Sequence, residues 1–423
     1  MTTRHHPYTD PWPSPARQRL HELSLGQCRV VYFYDTPDTS TFRYRAYNMV
    51  QALNRYGDTA QVSAAYLCAA DAPLIDEFLA ATHVLVFCRS KYSEITSRIL
   101  AMARRGGVRV LFDVDDLIFD TRYTHLITQT LGQDMSSEEA WDVWFAYASR
   151  IGTLMRMCDG AITTNRLLAD RVEDFAQIPA QIVPNFLNDE QLRVSAKIRA
   201  RKATLSTGQG RLRLGYFSGT PTHSRDFHVI AGTLAEMLDR HPHVHVSVVG
   251  FVPSEGIPER HRKRIDVIPL QDFVNLQELI SRVDLNLVPL QDNIFTNCKS
   301  ELKYFEAGVV CTPTMASPTY TYRAAIEDGV NGFLVNAQEW RARLTALAES
   351  PQSLPAIAAR AYDAVRKDYA PPTHVAGIRR ALLIEERSGA GKGHSPGADP
   401  KSGSDPSVTL ADRGPIDRPV PTT

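Results

Sequence analysis

Three stretches of this chain gather residue types that can do chemistry. The first is FSGTPTHSRDF, residues 217–227. A strand pattern ends there at Ser218-Gly219, and a helical pattern begins near Thr222 or Ser224. Glycine lets a bulky ligand approach the backbone, and a helix start offers unpaired N–H groups at the positive end of a dipole. That arrangement suits a pyrophosphate; a capped turn without a ligand fits it equally well. The second is FTNCKSELKYFEAG, residues 295–308. Lys299 and Lys303 are four apart, so on one helix they share a face near its start. Two ammonium groups there oppose the dipole, and a bound anion would relieve the conflict. A solvated lysine face is the alternative. Glu306, followed by Ala-Gly, could accept hydrogen bonds from both hydroxyls of a ribose. The third is FDVDDLIFD, residues 112–120, where carboxylates including Asp115 cluster beyond a strand. It admits a hard cation, a general base or acceptor-orienting group, or capping of the next segment.

Other candidates are Arg43, Arg45 and Arg89, which could clamp a phosphate or carboxylate. For Arg43 and Arg45 a solvated helix face is the competing reading. HPHVH (241–245) resembles a metal tract, but it leads into a strand with His243 and His245 on one face, and no zinc is assigned. The cysteines at 28, 68, 88, 158, 298 and 311 form no CxxC pair, which points to reduced, mostly buried thiols.

The elements that must position these groups alternate along the chain. Short β-rich runs at 28–35, 60–67, 83–89, 108–114, 160–165 and 180–186 are separated by helical patterns. Among these patterns are STFRYRAYNMVQALNRYG and the aromatic-rich EEAWDVWFAYASRIGTLMRMC. The rhythm restarts at 211–219 and continues at 244–250, 265–270, 283–290, 309–317 and 332–336. Such alternation predicts an α/β chain of two tandem Rossmann-like, doubly wound domains with a cleft between them. The expected boundaries are an N-terminal extension at 1–27, a first domain at 28–203, a linker at 204–210 and a second domain at 211–350. C-terminal helices follow at 351–387, then a low-complexity, disordered tail at 388–423. In open α/β sheets ligands bind beyond the carboxyl ends of the strands. That rule selects Asp35, Arg89, Asp113, Asp115, Asp116 and Asn165 in the first half. In the second it selects Ser218, Gly219, Thr220, Gly250 and the segment after Leu290.

Bulk properties bound the function. The chain has 423 residues, with Lys+Arg and Asp+Glu both 47. This balance argues against a nucleic-acid binder. The polar, proline-rich N-terminus lacks the apolar region of a signal peptide, and no apolar run approaches a membrane span. A cytoplasmic enzyme is expected.

LGYFSGTPTHSRDF (214–227), VDLNLVPLQDNIFTNCKSELKYFEAGVVCTPTMAS (283–317) and IEDGVNGFLV (326–335) carry a resemblance. So, less strongly, do FRYRAYNMVQAL (42–53), VLFDVDDLIFD (110–120), CDGAITTNRLLADRV (158–172) and IVPNFLN (182–188). Over roughly residues 28–385 the chain resembles GT-B glycosyltransferases related to family 4 (group 1), of the kind that builds bacterial surface polysaccharides.

The resemblance implies a nucleotide-sugar donor as co-substrate, no further cofactor and no obligatory metal. The acceptor would be a saccharide or lipid-linked sugar, reached through peripheral contact with the inner membrane leaflet. The carboxylate of Glu306 would bind the donor ribose. Gly219, Thr220, His223, Lys299 and Lys303 would hold the diphosphate, and Arg225, or else His223 or Lys299, would stabilise it as it leaves. Arg45, Arg89 and Asp115 would face the acceptor, the last helices would cross back to the first domain, and transfer would retain anomeric configuration. Two positions depart from the pattern. Related enzymes carry a second Glu where this chain has Cys298, and an Arg and a Lys where it has Thr220 and Arg225. A non-catalytic GT-B protein that binds a sugar nucleotide or a partner is the rival reading, and a nucleotide-sugar epimerase a third.

Overall fold

The computed structural model describes residues 6–204, 210–219, 224–251 and 259–382. Each of the twelve apolar runs contains a strand. The first six are β1 (Cys28–Tyr34), β2 (Val62–Cys68), β3 (Val84–Cys88), β4 (Arg109–Val114), β5 (Gly160–Thr163) and β6 (Ala180–Ile182). They form one parallel sheet in the order β2-β1-β3-β4-β5-β6. The second six are β7 (Leu212–Ser218), β8 (Val244–Gly250), β9 (Ile265–Ile268), β10 (Leu285–Val288), β11 (Thr314–Ala316) and β12 (Phe333–Leu334). They form a second parallel sheet, β12-β11-β10-β7-β8-β9. Several strands are buried along their whole length, among them the inner strands β3, β5 and β10. That is why they read as unbroken apolar runs: helices cover both faces. Strand order reverses between β1 and β3 in the first sheet and between β7 and β10 in the second. These switch points are where an open parallel sheet leaves a crevice.

The linker segment 205–209 and the tail 388–423 lie outside the described residues. The helix Pro371–Ala381, near the end of the described chain, packs on the helix Asn48–Tyr56 that follows β1. Leu187 N–H donates to the Tyr369 carbonyl at 3.1 Å, joining the end of the first half to the last helices. The N-terminal segment is also built in. Trp12 is buried, stacked on Phe273 at 6.2 Å and edge-on to Phe42 at 5.5 Å. It thus touches both halves of the molecule, and such pairs add about 0.5–1.5 kcal/mol beyond the area they bury.

Arg45 corrects an expectation. It lies neither on a solvated helix face nor toward an acceptor. It sits in a π-helical turn, Arg43–Tyr47, and is fully buried. Its Nε and Nη2 donate to the two carboxylate oxygens of Asp113 at 2.7 and 2.9 Å. Nη1 donates to the Val183 carbonyl at 2.8 Å and to Asn185 Oδ1 at 3.1 Å. Burial pushes the Asp113 carboxyl up to about 6, although Arg45 pulls it down. Every guanidinium nitrogen is occupied, so Arg45 welds β4, the segment leaving β6 and the helical segment after β1 together. Removing one partner of such a pair strands the other charge in the core, at a cost of about 3–5 kcal/mol. Arg45→Met should therefore lower the free energy of urea unfolding by that amount. A loss below about 1 kcal/mol, the range of an exposed pair, would refute the structural role.

Candidate active site

The second sheet's switch point is made by the carboxyl ends of β7 and β10. β7 delivers Ser218 and Gly219. Gly219 is exposed, and a Cβ built on it would meet nothing within 4 Å. Gly250 ends β8 beside it with φ +93°, and a Cβ there would lie 1.8 Å from the Ser218 carbonyl oxygen. Only glycine lets the two strand ends approach this closely. The helix Ser224–Arg240 starts next, as its pattern predicts. Arg225 is exposed in its first turn, and Asp226 is buried. The Asp226 carboxylate accepts from the backbone N–H and the side-chain amide of Gln291, each at 3.2 Å. Thr220 and His223, assigned above to the diphosphate, lie outside the described residues.

The stretch 295–308 is not one helix. Asn293 caps a short helix, Ile294–Asn297, and a second runs Leu302–Gly308. Lys299 lies in the break between them, so the shared helical face inferred from its spacing to Lys303 does not exist. The two lysines are nonetheless electrostatic neighbours. Burial lowers the Lys303 ammonium to about 8; Asp226 and Glu306 oppose that shift, and Lys299 adds to it. The Lys303 Nζ lies 5.4 Å from the centre of the Tyr216 ring, on β7 just before Gly219. Lys299 Nζ lies 4.7 Å from the Phe295 ring centre. Lys303 therefore lies within electrostatic range of Lys299, Glu306 and also Asp226, a residue that the sequence pattern does not single out.

Glu306 is only 4% exposed. Its Oε1 accepts from the Tyr44 hydroxyl at 2.6 Å and from Arg43 Nη2 at 3.1 Å. Both donors come from the π-helical turn of the first half. Arg43 is thus neither a solvated cation nor free to clamp a phosphate in this arrangement, and nothing in the sequence pattern marks Tyr44. Two further bonds cross the same seam: Asn185 Nδ2 to Ser300 Oγ at 2.9 Å and Asn165 Nδ2 to the Cys298 carbonyl at 2.8 Å. Cys298 itself is fully buried among first-sheet apolar side chains, and burial pushes its thiol up to about 12. A neutral thiol in that place is a packing group, not a nucleophile.

Asp115 sits apart from this cluster, at the first sheet's own switch point. Its Oδ2 accepts from Thr41 Oγ1 at 3.2 Å, and its Oδ1 lies 3.5 Å from Arg89 Nη1. Burial raises its carboxyl above the usual range, opposed by Arg89 and reinforced by Asp116. Arg89 also reaches Asp116 at 3.6 Å and donates to the Tyr147 hydroxyl at 3.3 Å. Arg89 ends β3 with φ +48°, a left-handed conformation costly for a non-glycine residue and concentrated at functional sites. Among the described residues no group of three or more His, Cys, Asp or Glu side chains could hold a metal ion.

No protein-family model matches the chain, and no curated protein matches it by sequence. Solved structures do. One is HepE (Alr3699) of Anabaena in complex with UDP: 14% identity over 84% of this chain and 99% of that one, TM-score 0.54. Sucrose-phosphate synthase of Thermosynechococcus elongatus matches at 13% identity over 84% and 98%, TM-score 0.54. A glycosyltransferase of Rickettsia africae matches at 9% identity over 84% and 99%, TM-score 0.53. At such identities the likeness is one of architecture, and with the two parallel sheets it places this chain in the GT-B fold.

Proposed function

We propose that the chain is a glycosyltransferase that moves a sugar from a nucleotide diphosphate-sugar to a saccharide or glycolipid acceptor, retaining configuration and needing no metal. Membership of family 4 and a cytoplasmic, membrane-peripheral setting belong to the same reading. Among the described residues no helix is long and apolar enough to cross a membrane. One observation carries the reading: the partly buried Lys303 ammonium, with Lys299 and Glu306 as electrostatic neighbours, at the nucleotide-side switch point of a GT-B fold. The solved structure of HepE with UDP supports a nucleoside diphosphate as the ligand class.

The chemistry follows from charge. As the bond from the anomeric carbon to the diphosphate breaks, negative charge grows on the leaving phosphate and positive character on the sugar. Preformed cations in a low-dielectric site stabilise that anion without reorganising. Lys299 and Lys303 do this here, with Arg225 at the start of the adjacent helix. The acceptor oxygen then bonds the anomeric carbon, and its proton passes to the departing phosphate. Asp115, held by Arg89 and Thr41, orients the acceptor. The non-catalytic alternative has its own support in Cys298, a buried thiol where related enzymes carry a carboxylate toward the transferred sugar. Donor binding without turnover on any acceptor would favour it.

Lys299→Ala and Lys303→Ala should each cut turnover across a nucleotide-sugar panel by about 100- to 1,000-fold, the range for losing one charge-stabilising donor. Their melting temperatures should stay within a few degrees of the parent. Parent-like turnover in both would sink the site assignment. The pH dependence has a definite sign. An anion favours the charged ammonium, so a bound diphosphate raises the Lys303 pKa above about 8. Nucleotide affinity should thus fall as pH rises through 8, with proton uptake on binding near that pH. Calorimetry in buffers of different ionisation enthalpy reads the uptake, and Lys303→Met should abolish it. Because the space beside Gly219 is open, Gly219→Val should leave thermal stability unchanged yet weaken nucleoside diphosphate binding at least tenfold. Unchanged affinity would mean that the bend is a capped turn and no more.

A further inference from the structure

We propose that Arg43 and Tyr44 are positioning residues for nucleotide recognition: they fasten one carboxylate oxygen of Glu306, so that the donor's ribose is read by the other oxygen alone. The inference rests on the donor reading above and adds to that site two residues of the first half.

The two oxygens of Glu306 differ. Oε1 accepts from the Tyr44 hydroxyl at 2.6 Å and from Arg43 Nη2 at 3.1 Å, which fills both of its lone pairs. Oε2 accepts from nothing among the described residues, yet it is not one of the buried polar atoms left without a partner, so it keeps some open surface. A ribose hydroxyl can therefore reach Oε2 while both donors stay on Oε1. Lys303 stands three residues earlier on the same helix, Leu302–Gly308. Residues so spaced share a helical face. Glu306 and the ammonium assigned to the diphosphate thus serve one site, ribose at the first and phosphates at the second.

Arg43 is placed for this carboxylate and for little else. Its Nη2 bonds Glu306, whereas its Nε and Nη1 are buried without a hydrogen-bond partner. Arg45, two residues along the same π-helical turn, has all three guanidinium nitrogens bonded. Buried N–H donors left unmade are costly, so a bridge that only joined the two halves would be better built like Arg45. Arg43 rests instead on two rings, 4.2 Å from the Tyr44 centre and 4.6 Å from the Phe273 centre. What the arrangement supplies is a cation beside a nearly dry carboxylate, and a fixed orientation for it. A hydroxyl bonds a charged acceptor about twice as strongly as a neutral one, and a side chain already ordered loses less freedom when the ligand arrives. Both residues sit in a π-helical turn, a form that recurs at functional sites.

Ribose selectivity is the readout, because a merely structural role would leave it alone. The common nucleoside diphosphates, their 2′-deoxy and 3′-deoxy analogues, and inorganic pyrophosphate are titrated by calorimetry into the full-length chain. The parent should prefer its best diphosphate over at least one deoxy analogue by about tenfold or more, the worth of a hydrogen bond to a charged group. Tyr44→Phe keeps the ring that packs on Phe305 at 6.0 Å. It should bind that diphosphate more weakly and cut the preference to about threefold or less, with pyrophosphate affinity unchanged. Glu306→Gln should erase the preference, and Tyr44→Phe should then add nothing to the loss. Arg43→Met should act in the same direction as Tyr44→Phe; if it does not fold, Tyr44→Phe decides alone. An unchanged preference or tighter binding in Tyr44→Phe overturns the proposal. So does an equal loss of pyrophosphate affinity, the mark of a turn that only supports the fold. If diphosphates bind the parent, lose affinity in Lys303→Ala and show no preference for ribose, the donor reading stands and the positioning role falls. If no diphosphate binds the parent, the donor reading itself is wrong and the positioning role falls with it.

Discussion

The charge on Glu306 has almost no water to meet it, and that constraint organises the middle of the molecule. An ionised carboxylate stripped of solvent must find donors or give up its charge. The second half of the chain supplies none at hydrogen-bond distance from Oε1. The first half does, through Arg43 and Tyr44. One buried acid thereby ties the π-helical turn after β1 to the helix that precedes β11. Aromatic packing follows the same line. Phe305, next to Glu306, lies tilted on Tyr369 at 4.7 Å and edge-on to Tyr44 at 6.0 Å. Phe273 carries Arg43 on its face and stacks on Trp12. The seam is thus a layer of rings around one ion pair, and it fixes how the strand ends of the two sheets face each other.

Each switch point then carries cations and carboxylates close together, but with different degrees of satisfaction. Arg45 and Asp113 are saturated and serve the core. Arg89 donates to Thr41 at 2.9 Å and divides the rest of its charge among Tyr147, Asp115 and Asp116 at 3.3, 3.5 and 3.6 Å. Lys303 meets its neighbours only through space, with a ring beneath it and no carboxylate within ion-pair distance among the described residues. Burial without a matched partner is what depresses its pKa, and it is also what makes a polyanion a good partner. The gradient from saturated to unsaturated charge runs from the interior of the first sheet toward the switch point of the second. It separates groups that hold the fold from groups left available for a ligand.

Much of this was legible in the sequence, for identifiable reasons. The strands could be found because a parallel strand covered on both faces, such as β3 or β10, must be largely apolar, and the edge strands continue the same alternation with helices. The glycine bend at 219 and the helix starting at Ser224 were equally plain, since turns and helix starts are chosen by local chemistry. The block 295–308 misled because its spacing suits a single helix, whereas Asn293 caps a four-residue helix that ends before Lys299. The backbone there is shaped by contacts with the first half: Asn165 holds the Cys298 carbonyl, and Asn185 holds Ser300. Nothing within fourteen residues could have announced either partner.

What the sequence determined by itself was periodicity: two successive sets of parallel strands, their order of appearance, and hence the crevices where a ligand belongs. Period and turn chemistry are local properties, written within ten or twenty residues. What only the tertiary structure decided was the fate of individual charges. Arg43 and Arg45 are nearly adjacent and of one residue type, yet one is spent on Asp113 and the other half-spent on Glu306, 263 positions away. Whether a charged side chain is a strut or a free hand depends on how many of its hydrogen bonds are filled after burial. The packing of distant segments sets that number, and no local pattern encodes it.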